Sequence, residues 1–157
     1  MIFKPNMEKD YKYGEKQEKK IYPILKEYFN CNLKPKSRYS RNDFEDLSLN
    51  LFLELKSRKL NHNSYDKTIF DYPKFKYLYE KYNKHGGKNN CELYLIFNYL
   101  DGLYYLDFDI LDNEKYKIIM NTRNKTFFRK DGEKKDNINI PIKYLTELKE
   151  GYFIDRN

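Results

Sequence analysis

Ile21, Leu25, Tyr28 and Phe29 recur at the three- and four-residue spacing that lines one face of a helix, and they predict a first helix at about 14–29. Pro23 falls inside that pattern, where a missing backbone donor either kinks the helix or moves its start later. From 33 to 60 the period shortens. Short alternating or apolar runs between polar residues predict strands in an antiparallel meander. NHNSYDKT at 61–68 reads as a loop. Behind Pro73, Phe75, Leu78, Tyr79 and Tyr82 restore helical spacing and predict a second helix, which HGGKNN ends. ELYLIFNYL and LYYLDFDI, on either side of Asp101-Gly102, form the plainest hairpin in the chain. KYKIIMNT reads as another strand, TRNKTFFRKDGEKKDN as an exposed basic loop or hairpin, and PIKYLTELKE as a closing helix with Pro141 in its first turn. This order, unbroken by repeats or linkers, predicts one α/β domain (α+β, mixed sheet) over residues 1–157.

Composition decides what fills that core. Neither Ala nor Val occurs among the 157 residues, so the interior must be built from Ile, Leu, Phe and Tyr, with 17 Tyr and 11 Phe supplying the bulk. A formal net charge of +7 favours a polyanionic partner, although Asp and Glu are interspersed among the Lys and Arg. Cys31 and Cys91 stand far apart, without the paired spacing of a zinc or iron–sulfur site. The N-terminal stretch lacks the apolar core of a signal peptide, and no run approaches the ~20 apolar residues of a membrane span. The expectation is a soluble, intracellular protein without membrane contact.

The chemistry concentrates in LFLELKSR at 51–58. As a strand it turns Leu51, Leu53 and Leu55 to one face and Phe52, Glu54 and Lys56 to the other, so one face should be core and the other chemical. A buried carboxylate or ammonium must be solvated, paired or coordinated. One reading is an edge strand with a surface ion pair. A hairpin around Ser48-Leu49 sets Phe44 opposite Leu53 and Asp43 opposite Glu54. Two carboxylates facing each other repel unless a cation sits between them, and hard oxygen ligands suit Mg²⁺ or Mn²⁺. Asp46 points to the other face in this register, but a three-residue turn would reverse the parity and bring Asp46 to Glu54 instead.

An acidic residue on one strand followed by Glu-x-Lys on the next resembles the PD-(D/E)XK, restriction-endonuclease-like nucleases. Gly14-Glu-Lys-Gln-Glu18 is similar to the first-helix glutamate of that superfamily, and the element order is similar to its core of helix, three-strand meander, helix and strand. The likeness spans roughly residues 13–100. SRYSRNDF and SRKLNHNSYDKTIFDYPK resemble small phage and giant-virus members. No proline precedes Asp43, and the second helix has no Gln-x-x-x-Tyr of the exonuclease-like branches.

The resemblance implies a divalent-metal-dependent endonuclease acting on DNA. Asp43, Glu54 and the Leu55 carbonyl would hold the metal, Lys56 would position the attacking water, and Glu18 would orient Lys56 or help hold a second ion. A groove would be lined by Arg38, Tyr39, Arg41, Arg58, Lys59, Tyr65, Lys67 and Lys74, with Arg123, beside Thr122, and the pair Arg129-Lys130 clamping backbone phosphate or simply solvating a hairpin. His62 and His85 stand in polar loops without evident partners. The choice among restriction, branched-junction resolution and nicking stays open; with little room for a separate target-recognition domain, a structure-selective or homodimeric enzyme is favoured, in the host cytoplasm or nucleus for a viral member. A non-catalytic nucleic-acid-binding module, a ribonuclease using the same site, and a small interaction protein stay open.

Overall fold

A computed structural model describes residues 7–35, 43–127 and 134–148. Its largest sheet is organised by β3 (Leu51–Ser57), which pairs antiparallel with β2 (Phe44–Asp46) on one side and parallel with β5 (Glu92–Tyr99) on the other. The short β1 (Lys34–Pro35) flanks β2, and β6 (Gly102–Asp107) continues from β5, giving a mixed sheet. Phe44 faces Leu53, the register read from the sequence. A single 3₁₀ turn at Leu47–Leu49 and Asn50 in the left-handed region (φ 51°) join β2 to β3. The hairpin after β5 also matches, except that Tyr99 pairs with Gly102, so Leu100-Asp101 forms the turn and Gly102 opens β6.

Helix α1 (Met7–Tyr28) is longer than its apolar spacing suggested and carries Pro23 on an exposed position. Ile21, Leu25, Tyr28 and Phe29 pack with Leu51, Leu53 and Leu55 on one face of the sheet. The opposite face is not open to solvent. Phe52 packs there with Phe75, Leu78, Phe97 and Ile138, beneath α2 (Tyr72–Lys84) and a second sheet. A central strand with a parallel neighbour is covered on both sides, which is why residues 51–55 are continuously buried rather than alternating.

The second sheet holds β4 (Lys67–Asp71), β8 (Lys134–Pro141) and β7 (Asn124–Phe127), in that order. β4 was expected to be loop at its start. It forms because Thr68 and Phe70 alternate inward against β8 while Lys67, Ile69 and Asp71 face out. The β7–β8 pairing confirms a hairpin there. Two expectations are overturned. KYKIIMNT is not a strand: Asn113–Met120 forms helix α3, capped by Asp112, whose side chain accepts the Lys115 N–H at 2.7 Å. The closing helix is also absent through residue 148. Pro141 ends β8, Ile142–Tyr144 makes one 3₁₀ turn, and β9 (Thr146–Glu147) covers the edge of β6. Leu148 N–H then bonds the Leu103 carbonyl at 2.8 Å, an edge pairing that satisfies backbone groups a helix would have left exposed on β6. Among the described residues the protein is therefore a mixed α+β fold with three α-helices, none long and apolar enough to cross a membrane.

Candidate functional site

Asp43 bends the chain just before β2. Its N–H bonds the Leu53 carbonyl at 3.1 Å, one residue out of step with the Phe44–Leu53 register, and its Oδ2 accepts the Leu55 N–H at 2.7 Å. The bend sets the carboxylate along the margin of β3 rather than squarely opposite Glu54. Asp46, the alternative, is turned away. It accepts hydrogen bonds from Asn32 N (2.8 Å), Ser48 N (3.1 Å) and Ser48 Oγ (2.6 Å). Burial works against its charge, but these donors outweigh it and hold its pKa below the usual carboxylate value. Asp46 is a structural cap on the turn, and its pairing with Leu51 puts it on the face away from Glu54.

Glu54 shares the Phe52 face and is 3% exposed. Lys74, on the first turn of α2, places its ammonium on Glu54 Oε1, while Oε2 is buried without a hydrogen-bond partner. Burial and the Asp43 charge push the Glu54 pKa up to about 8, with Lys74 and Lys56 pulling it back. Burial likewise opposes the Lys74 ammonium, but Glu54, Asp43 and Asp71 overcome it and raise its pKa. The two partners pull differently on one contact. The ammonium touching a carboxylate oxygen stays charged through neutral pH, whereas Glu54 gives up its proton late because Oε2 is unsolvated.

Glu18 projects from α1 into the same region. Its pKa rises to about 7 through burial, the Asp43 charge and a hydrogen bond shared with Asp43. One side-chain bridge ties this part of α1 to the sheet: Asn98 Nδ2 donates to Gln17 Oε1 at 3.0 Å and to Ser57 Oγ at 3.2 Å. Lys56 is exposed along its surface, yet the protein around its ammonium, together with Arg58, Lys135 and Lys74, lowers its pKa against the pull of Glu54. A cleft of about 500 Å³ lies at this end of β3, lined by Gly14, Glu18, Leu55, Lys56, Arg58 and Lys59 among others. The fold thus brings Glu18, Asp43, Glu54 and Lys56 together from α1, the entry to β2, and β3, and adds Lys74 from α2 as a direct partner. The sequence placed Lys74 in a groove; its pairing with Glu54 across twenty positions leaves no local signal.

The remaining candidates divide. Arg58 Nη2 donates to the Ile69 carbonyl, and burial lowers the Arg58 pKa. Lys59 Nζ lies 4.4 Å from the Tyr13 ring centroid, Tyr65 is 68% exposed, and Lys67 opens β4 facing solvent. Arg123 is engaged internally: its guanidinium chelates Asp136 (2.7–3.2 Å) and stacks 3.9 Å over Tyr72, which accounts for it without a phosphate. His62 does have a partner, Asp101, at 2.6 Å from Nδ1, and it stacks on Tyr104. His85 caps α2 against Phe52. Arg38, Tyr39, Arg41, Arg129 and Lys130 lie outside the described residues.

Among the described residues no three His, Cys, Asp or Glu side chains are grouped so as to cage a metal ion. The donor chemistry still suits a hard cation: three neighbouring carboxylates, of which Glu18 lines the cleft and Glu54 keeps a buried oxygen without a partner. Mg²⁺ typically takes one or two carboxylates and fills its other positions with water and substrate phosphate, so it does not require such a cage. No protein-family model matches the chain, and no curated protein matches it.

Proposed function

We propose that the protein is a divalent-metal-dependent endonuclease that hydrolyses DNA phosphodiester bonds, in the manner of the PD-(D/E)XK nucleases that its motifs resemble. The observation that carries this reading is the coupling of Glu18, Asp43, Glu54, Lys56 and Lys74 through one set of contacts and charges, with Glu18 and Lys56 lining a cleft. The order α1, β1–β3, α2 and then β5 parallel to β3 supports it, with β4 an addition belonging to the second sheet. Mg²⁺ or Mn²⁺ held by Asp43, Glu54 and the Leu55 carbonyl, with Glu18 at its side, would supply Lewis-acid polarisation of the phosphate and a nucleophile at neutral pH. The chain's own part is positional. Lys56 would present a donor to a phosphate oxygen or to the attacking water, Lys74 holds Glu54 Oε1 in place, and Asp43 accepts the Leu55 N–H.

The test is incubation of supercoiled plasmid, a four-way junction and single-stranded RNA with Mg²⁺, Mn²⁺ or EDTA, beside Glu54→Gln and Lys56→Ala. Metal-dependent cutting is expected, reduced at least ~100-fold in each variant. Nicked product would indicate single-strand action and linear product a homodimer cutting both strands. If nothing is cut, or the variants cut as well as the parent, the reading fails. A second reading, a non-catalytic nucleic-acid-binding module of the same fold, draws on the Lys74–Glu54 pair and the absence of a ready metal cage among the described residues. It predicts nucleic-acid binding without cutting.

A further inference from the structure

Three hollows adjoin one another, the first of them lined by Glu18. The first, of about 500 Å³, shares Arg58 and Leu60 with a second of about 100 Å³, and the second shares His62, Tyr65 and Lys67 with a third of about 760 Å³. The narrow middle contains unmet polar groups. Tyr99 is 5% exposed and its hydroxyl has no hydrogen-bond partner, and Arg58 Nε is buried and equally unpartnered. A buried donor left unpaired costs free energy, so a site that keeps two of them side by side is prepared for a ligand or water that accepts from them. Lys56 and Lys59 line the first hollow, Lys67 the second, and Lys67 with Lys143 the third, against the carboxylates of Glu18 and Asp66.

We infer that these hollows form one channel for a single strand of nucleic acid, with a backbone phosphate seated between Arg58 and the Tyr99 hydroxyl and a base stacked on Tyr65 beyond it. The inference rests on the nuclease reading for its substrate class and goes further by naming the strand's path and single-stranded state. The middle hollow, at about 100 Å³, is too small to take a base pair, so only an unpaired strand could thread all three. His62, fixed by Asp101 and by stacking on Tyr104, forms a rigid wall between the middle and outer hollows. Tyr65, exposed at the outer end, offers the flat apolar face that any base can cover.

The test is fluorescence anisotropy in EDTA, so that no cutting intervenes, with a labelled oligothymidylate, an oligouridylate and a blunt DNA duplex of equal length. The single strands are expected to bind roughly tenfold tighter than the duplex, and Tyr65→Ala to weaken single-strand binding by a similar factor. Tyr99→Phe removes only an unpartnered hydroxyl, so it should weaken single-strand binding about fivefold without lowering the Tm. The order of the DNA and RNA arms identifies the polymer, and either order supports the channel. Duplex binding as tight as single-strand binding, or Tyr65→Ala and Tyr99→Phe both binding like the parent, would overturn it. Single-strand binding without cleavage would remove the hydrolase reading and leave the channel; plasmid cleavage without single-strand preference would do the reverse.

Discussion

Glu54 and Glu18 keep their protons to an unusual pH, and the consequence is a stability slope. Burial and Asp43 bring Glu54 to about 8 and Glu18 to about 7, whereas both start from 4.5. Between those values the folded protein binds more protons than the unfolded chain, so its stability falls as pH rises from about 5 and levels off above about 8. Lys74 does not disturb this window. Its pKa is raised above 10.5, so its contribution is complete below that value and is lost only as pH climbs through the folded one. Calorimetry in EDTA should therefore show the Tm declining from about pH 5 to 8, and Glu54→Gln should flatten the decline. On the proposed metal-dependent reading, Mg²⁺ would compete with protons for these carboxylates, so its stabilisation should be larger at the alkaline end. An equally steep decline in Glu54→Gln would show that Glu54 ionises like a solvated acid.

At the scale of elements, what the sequence disclosed was what neighbouring residues determine between themselves. The β2–β3 register was legible because Phe44, Phe52 and Leu53 leave one pairing that keeps apolar faces together, and the β5–β6 hairpin because two aromatic runs meet at a short turn. Asp43, Glu54 and Lys56 could be named as candidates from strand pattern, and Glu18 only through the family resemblance. What was not legible depended on distant partners. β4 exists only against β8, with two inward residues too few to outweigh its polar surroundings. The run Lys117–Met120 is too short for its period to distinguish helix from strand. In the helix, Ile119 is fully buried while Ile118 is 46% exposed. Ile119→Ala should therefore cost about 2–4 kcal/mol, and Ile118→Gln under about 1 kcal/mol, in urea unfolding. Equal losses at the two positions would contradict α3.

Across the whole molecule the net charge of +7 is not uniformly available to a partner. Arg123 is held by Asp136 and Tyr72, and Lys74 by Glu54. Lys56, Arg58, Lys59, Lys67 and Lys143 instead line the three hollows. Each cation that neutralises a phosphate of a single strand contributes about −0.7 to the slope of log K against log salt, so on the proposed channel reading these five together would give about −3 to −4. Lys67→Ala and Lys143→Ala should each make the slope shallower by about 0.7. Arg123→Ala should leave the slope unchanged, because its charge is already met by Asp136, and it should lower stability instead. Net charge alone makes no such distinction, since all three variants remove one positive charge. If Arg123→Ala shifts the slope as much as Lys67→Ala does, the strand crosses the β7–β8 hairpin and not the path through Arg58 and Tyr99.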